Sequence, residues 1–196
     1  MIITTNRMDS APEKRVELHL HTKMSAMDAV TDAESVVALA AKWGMPAVAV
    51  TDHGVAHAFP DMWRAGETYG VKILFGCEGF YVNDVDDCGA EGRNPNHITL
   101  IARNKAGLKN LYQLISASNL QYLKRDPIIP KSELIAHREG LLVGSACGSG
   151  ELFRAVIDHR DWDELKRVAS FYDYLDIQPL CNNRFMVREG KAKDDK

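Results

Sequence analysis

Two histidines spaced two apart in an otherwise aliphatic alternation constrain this chain more than any other feature. Val16, Leu18 and Leu20 alternate with Glu17, His19 and His21. Period-two alternation predicts a short strand over Val16 to His21, aliphatic on one face and bearing imidazoles on the other. Residues two apart on a strand lie about 6.5–7 Å apart on the same face, so both rings can turn to one ion. Asp28 follows beyond a loop that holds Ser25. Two imidazoles and a nearby carboxylate suit a borderline divalent cation such as zinc, manganese or iron. The competing reading is a pair of half-buried strand histidines hydrogen-bonded to backbone.

The length of 196 residues is that of one domain able to bury a sizeable core. Net charge is −3, with both signs mixed along the chain and no basic stripe, which gives no support for tight nucleic-acid binding by this chain alone. No apolar run approaches membrane-spanning length. Met1 to Ala11 lacks the apolar core of a secretion signal, so the expectation is a cytoplasmic protein with no membrane partner. Cys77, Cys88, Cys147 and Cys181 form no C-x-x-C pair and read as reduced thiols.

Residues 1–14 read as a polar lead-in and 188–196 as a charged tail. Between them strands alternate with helices. Asp32 to Trp43 carries apolar residues at helical spacing, with Asp32 as N-cap and Gly44 beyond the end. Ala47 to Thr51 is a short apolar strand of the buried type. A helix at about Phe59 to Tyr69 and a strand from Lys72 to Val82 follow. Asp84 to Asn96, rich in Asp and Gly, reads as a surface loop. The pattern then predicts a strand at His97 to Ala102, a helix at Lys105 to Ser118, and a turn bracketed by Pro127 and Pro130. A short helix at Ser132 to Arg138, a strand at Leu141 to Ala146, and helices at Glu151 to Ile157 and Trp162 to Tyr172 come next. The last strand is Tyr174 to Leu180, the sixth. This alternation argues for parallel βα units.

The chemistry-bearing residues cluster at strand ends. His21 ends the first strand, His53 lies just past the second, Glu78 is late in the third, and Cys147 follows the fifth. In a parallel βα barrel those ends share one rim, where active sites are built. His97 opens its strand, so either its boundary is displaced or that strand runs the other way. Glu78 could bridge two metals. Cys147 reads either as a soft ligand favouring zinc or as a small buried thiol. Asp52 reads as an outer partner of the ligands or a helix cap. His57, His137 and His159 read as solvated or structural, and Ser149 as the cap of the following helix. The glycines around Ser149 could cradle a phosphate, or form an ordinary strand-to-helix turn.

Together His19-Leu-His21-Thr22, Ser25, Asp28, Thr51-Asp-His53, Gly76-Cys-Glu78 and His97 resemble the PHP (polymerase and histidinol phosphatase) family. Longer stretches, among them Gly107-Leu-Lys-Asn-Leu-Tyr112, Glu139 to Cys147 and Ala169 to Pro179, resemble the PHP domains of the PolC-type family of bacterial replicative polymerases. The resemblance implies an α/β fold, a distorted (β/α)7-type PHP barrel occupying residues 15–187, with up to three metal ions on one rim. It implies that His19 and His21 serve a first ion, that Glu78 bridges it to a second completed by His97 and Cys147, and that Asp28 and His53 serve a third. It also implies, as partners, the rest of a polymerase and its replisome, with DNA reached indirectly.

Two departures qualify that expectation. The family usually ends its ligand set with Asp-x-His near the last strand; none follows Leu180, and Asp158-His159 has the wrong spacing. PolC-type chains carry an exonuclease inserted in this domain, at a point matching the loop Asp84 to Asn96, which has no room for one. The chain is thus expected to be a truncated barrel of about six strands, without the exonuclease and without its C-terminal part. Ions one and three would each lack a ligand, and the open edge would invite self-association. Three functions remain open: a metal-dependent phosphoesterase module of the polymerase, weak or inactive in this chain; a non-catalytic module that uses metal to hold a polymerase together; and a free-standing phosphatase.

Overall fold

The structure, a computed structural model, describes residues 11–84, 94–179, 182 and 184–191. The first helix, α1 (Ala33–Lys42), starts where the Asp32 carboxylate accepts the Ser35 N–H at 2.9 Å, and ends before Gly44, whose φ of 72° only glycine adopts freely. Then come β1 (Ala47–Val50), buried throughout, and α2 (Phe59–Tyr69), which has Pro60 in its first turn. The centre of the fold is β2 (Lys72–Val82), followed by β3 (Asn96–Ala102) and α3 (Lys105–Leu120), capped by Asn104. The remaining elements are β4 (Ile128–Pro130), α4 (Lys131–Ala136), β5 (Leu141–Gly144), α5 (Glu151–Ile157), α6 (Trp162–Ala169) and α7 (Arg184–Arg188).

Among the described residues five strands form one mixed sheet in the order β1-β2-β3-β5, with β4 also on β2. β1 and β4 run parallel to β2, while β3 is antiparallel to both β2 and β5. The helices cover the sheet, and Val37, Val48, Val50, Met62, Leu100, Leu111, Leu114 and Leu134 fill the space between. Among the described residues no helix is long and apolar enough to cross a membrane.

The α/β class and most element positions agree with the sequence pattern; four local features differ. The segment 16–21 is not a regular strand. It lies parallel to β1 through a single bridge, Glu17 to Val48, and the Leu20 N–H goes to the Thr51 hydroxyl at 2.8 Å, so a side chain takes the place of a ladder bond. The segment from Tyr174 likewise makes one bridge, to Gly144, and the end of that predicted strand at Leu180 lies outside the described residues. Between the two prolines the chain forms β4 rather than a bare turn; paired only with β2, it tolerates Pro130 as an edge strand does. Finally, β3 does run the other way, so the sheet is mixed. Antiparallel pairing sets His97 opposite Phe80, two residues from Glu78. Cys88, Cys181 and most of the loop 84–96 also lie outside the described residues.

Candidate metal centre

Glu78 lies at the middle of β2, only 1% exposed. Its backbone is clamped from both sides: its N–H donates to the Asp52 carbonyl at 3.1 Å, and its carbonyl accepts the Gly54 N–H at 2.9 Å. That clamp carries the turn after β1 alongside β2, which brings His53 to the carboxylate. The segment beside β1 supplies His19 and His21, and β3 supplies His97.

Four imidazoles crowd this one carboxylate. His19 Nε2 lies 3.0 Å from Oε1 and His21 Nε2 3.1 Å from Oε2. His53 Nδ1 lies 3.0 Å from Oε2 and His97 Nδ1 3.0 Å from Oε1. Cys147 Sγ lies 3.5 Å from both Oε1 and His97 Nδ1. Asp28, 52% exposed, reaches His53 Nε2 at 3.5 Å. Thus His19, His21, Asp28, His53, Glu78, His97 and Cys147, all singled out from the sequence, meet around one cavity of about 590 Å³. His57, His137 and His159 do not line it.

Hydrogen bonding alone does not account for the cluster. His53 Nδ1 and Glu78 Oε2 stand at contact distance, yet neither has a hydrogen-bond partner, and His19 Nδ1 is also buried without one. The tautomer of His21 sharpens the point. The Ser25 hydroxyl gives its only proton to Asp52 Oδ1 at 2.7 Å, so towards His21 Nδ1, 3.2 Å away, it can only accept. His21 therefore carries a proton on Nδ1, and in the neutral ring its Nε2 presents a lone pair to a carboxylate oxygen. Two acceptors at 3.1 Å need a proton or a cation between them. The charge pattern agrees. Burial would raise Glu78, but the imidazoles of His19, His21 and His97 gathered around it outweigh burial and hold the carboxyl far below its usual range. Burial would lower His97, yet Cys147 and Glu78 push it up to about 10. His19 is raised despite its burial, by Glu78 and other carboxylates, whereas burial lowers His53. The carboxylate demands positive charge from its surroundings.

Three overlapping donor groups, each with its atoms within 4.8 Å of one another, occur among the described residues: His19–His21–Glu78, His21–Asp28–His53 and His53–Glu78–His97. The first is the expected set of ion one. The second adds His21 to the expected Asp28 and His53. The third places His53 beside Glu78 and His97, with Cys147 also in reach of those two. Nitrogen, carboxylate and thiol donors at this spacing fit borderline divalent ions.

Asp52, 1% exposed, is the outer support. Its carboxylate accepts the Thr22 N–H at 2.6 Å, the Thr22 hydroxyl at 2.8 Å and the Ser25 hydroxyl. Ser25 in turn accepts the His53 N–H at 3.2 Å, so one buried carboxylate fixes the loop on which both His21 and His53 depend. Ser149 does not cap α5; that place belongs to Gly150, and the Ser149 carbonyl instead accepts the His97 N–H at 3.0 Å. Among the cavity residues not singled out in the sequence are Arg15 and Asp176. Asp176 lines the cavity with His19, and its charge bears on that ring. Its only sequence signal is the alternation Tyr174, Asp176, Gln178.

Comparison with known proteins follows the same lines. The chain is 27% identical over an alignment of 384 residues to a DNA polymerase III PolC-type of Clostridium perfringens, covering 96% of this chain and 26% of that protein. It is 24% identical over 388 residues to its counterpart in Caldanaerobacter subterraneus, covering 98% and 28%. The chain spans about a quarter of the length of these relatives. Each alignment is about twice as long as the 196-residue chain, so the relatives carry a large internal segment with no counterpart here. The fold is shared with a crystal structure from Bifidobacterium adolescentis, whose name proposes a metal-dependent phosphoesterase, at a TM-score of 0.51 and 15% identity over 90% of this chain and 83% of that one. The PHP domain model matches residues 17–177, from the segment that bears His19 to the residue after Asp176, and the chain therefore belongs to the PHP domain family.

Proposed function

We propose that this chain is the metal-binding PHP module of a PolC-type DNA polymerase III, holding divalent ions, zinc, manganese or iron, on His19, His21, Asp28, His53, Glu78, His97 and Cys147. The observation that carries the reading is the convergence of four imidazoles and the Cys147 thiol on the one buried carboxylate of Glu78. The domain is taken to occupy residues 15–187, followed by the charged tail 188–196. Its partners are the rest of the polymerase and replisome, DNA is reached through them, and the setting is the cytoplasm.

Divalent ions at such a site stabilise charge on a phosphoryl oxygen and lower the pKa of water, the chemistry of phosphoester hydrolysis. The chain's own residues would divide the remaining work. Arg15, at the cavity edge and paired with Glu17 at 2.7 Å, can exchange that partner for a phosphate. Asp28, half exposed at the mouth, can accept a proton from an entering group. Asp52 and Ser25 keep the His21 lone pair aimed inward.

A purely structural use of the ions is the second reading. It is favoured by the way Glu78 gathers side chains from β3, the turn after β1, the segment 19–21 and the turn after β5. Elemental analysis of purified protein tests the shared premise. We expect bound divalent ions in the wild type and fewer in Cys147→Ala; a wild type that holds none and gains no melting temperature with added manganese or zinc overturns it. Hydrolysis of p-nitrophenyl phosphate and 3′-labelled DNA, absent in His19→Ala, separates the catalytic from the structural reading.

A further inference from the structure

Helix α3 has a side that the fold does not use. Gly107, Leu111, Leu114 and Ser118 are its buried positions. On the other side Lys105, Lys109, Tyr112, Ser116 and Leu120 recur at helical spacing and form one stripe. The stripe borders a groove of about 680 Å³, whose far side is made by Glu133 and His137 at α4. Leu120 is 83% exposed and Tyr112 45%. Between them Ser116 and Ala117 are small and leave a hollow that a partner's side chain can fill.

The charges of α3 run against its own stability. Helices α1, α2, α4, α5 and α6 each carry an acid in the first turn, which suits the positive end of the helix dipole. The first turn of α3 has none and opens on Lys105. Lys109 stands four residues further on, a like-charged spacing that is also unfavourable. A reversed cation pair and a bared leucine on one stripe do nothing for the fold. Local conflicts of this kind mark surfaces kept for another purpose.

Cations frame the apolar stripe at both ends. Lys105 and Lys109 precede Tyr112; the exposed Lys124 and Arg125 follow Leu120 and the half-exposed Leu123. None of the four has a carboxylate partner among the described residues. The acid bordering the groove, Glu133, is already engaged: it accepts the Tyr122 hydroxyl at 2.9 Å and stands 3.7 Å from His137 Nδ1. The complement to this surface is apolar in the middle and negative at its flanks. We propose that the α3 groove docks an acidic amphipathic helix of a partner protein. Apolar anchors at i, i+3 or i+4 and i+7 seat between Tyr112 and Leu120, and flanking Asp and Glu meet the lysines. The 16 residues of α3 span about 24 Å, room for about four turns of such a helix. Single-stranded nucleic acid fits less well, because it stacks its bases on aromatic rings and the floor around Tyr112 is aliphatic. No residue borders both this groove and the ion cavity, so the inference does not depend on the metal reading.

The test uses the full chain as bait for a displayed library of amphipathic helices, with apolar anchors fixed at that spacing and the flanking positions randomised. Recovered helices should carry acidic flanks, and the isolated peptides should shift the amide NMR resonances of α3. Lys105→Glu and Lys109→Glu should each weaken binding about 3- to 10-fold, Leu120→Ser about tenfold, and Ile177→Ala, an exposed change at the ion cavity, not at all. Lys105→Glu also separates docking from a structural role. It removes a cation from the first turn and sets an acid four residues before Lys109, so it should raise the melting temperature by about 2 °C while it weakens binding. A lower melting temperature would show that Lys105 serves the fold. Recovery of no binder, of helices with neutral or basic flanks, or of peptides that bind Leu120→Ser as tightly as wild type overturns the proposal. So does a wild-type dimer in sedimentation that Leu120→Ser dissolves, which would give the groove to a second copy. Binding of oligothymidylate that Lys105→Glu abolishes would give it to nucleic acid and overturn the proposal equally.

Discussion

His97 Nδ1 and Cys147 Sγ, fifty residues apart in sequence, stand 3.5 Å from each other and within reach of the same Glu78 oxygen. Antiparallel pairing of β3 with β5 produces this meeting, since it brings the start of one strand beside the end of the other. The turn is closed by the His97 N–H, which donates to the Ser149 carbonyl.

From that relationship follows the first prediction. Among the described residues Cys147 is the sulfur donor of the site and the soft ligand that favours zinc. Cys147→Ala should lower metal content more than any other single substitution at the rim, while purified wild type carries fewer than three ions because each pair of donor groups shares a residue, His21, His53 or Glu78. Losing a direct ligand should weaken binding by at least the 10- to 100-fold typical of an outer partner. Elemental analysis checks both statements; three ions per wild-type chain would contradict the second.

Asp52 supports a different part of the site. Replacing it with Ala leaves the Thr22 N–H, the Thr22 hydroxyl and the Ser25 hydroxyl without their common acceptor. Unsatisfied buried donors cost about 1–3 kcal/mol each and do not simply add. We expect a loss of about 3 kcal/mol, seen as a melting temperature lower by roughly 6–12 °C for a chain of this size. Because Ser25 would then be free to rotate, His21 loses its fixed tautomer and metal affinity should fall with stability. A variant that melts early but binds ions with wild-type affinity would show that Asp52 serves the fold alone.

Much of the site was legible because the sequence displays it locally. His19 and His21 announce themselves by alternation, His53 by following a short apolar strand, and Glu78 by its position late in a long one. The direction of β3 was not legible, because nothing in Asn96–Ala102 encodes which neighbour it pairs with; that depends on β2 and β5 together. β4 was hidden by its flanking prolines, which signal a turn more strongly than three residues signal a strand. Asp176 was hidden because a lone carboxylate in an alternating segment has no signature until Ser145 and Ala146 hold it against the cavity.

Gly107 gives a test of packing that is independent of metal. It lies in the first turn of α3, its N–H donates to the capping Asn104 side chain at 2.9 Å, and a Cβ there would collide with the backbone of Gly140. Backbone on both sides cannot yield as a flexible side chain would. Gly107→Ala removes a residue of poor helix propensity, worth up to about 1 kcal/mol in the other direction, but overpacking of about 1–3 kcal/mol should dominate. The expected result is a net loss of stability in chemical denaturation with the number of bound ions unchanged. Stabilisation would mean that the α3–Gly140 contact is looser than its geometry implies.

The titration of the cluster makes opposite predictions for chelated and loaded protein. His97 rises from 6.5 to about 10 in the folded chain, burial being outweighed by Cys147 and Glu78. A raised pKa means the folded state holds its proton more tightly than the unfolded state, so this stabilisation is complete below about pH 6.5 and is lost as pH climbs towards 10. Glu78 moves the other way: its stabilisation is present above its ordinary 4.5 and lost as pH falls further. Chelator-treated protein should therefore melt highest between roughly pH 5 and 6.5 and progressively lower up to pH 9. Ion binding must displace the His97 proton, so affinity rises over the same interval. Stabilisation by a bound ion grows as RT ln(1 + [L]/Kd), so the melting-temperature gap between manganese-loaded and chelated protein should widen with pH. His97→Gln should flatten the decline of the chelated protein and narrow the gap. Parallel curves for loaded and chelated wild type across pH 6–9 would show that His97 gives up no proton to an ion.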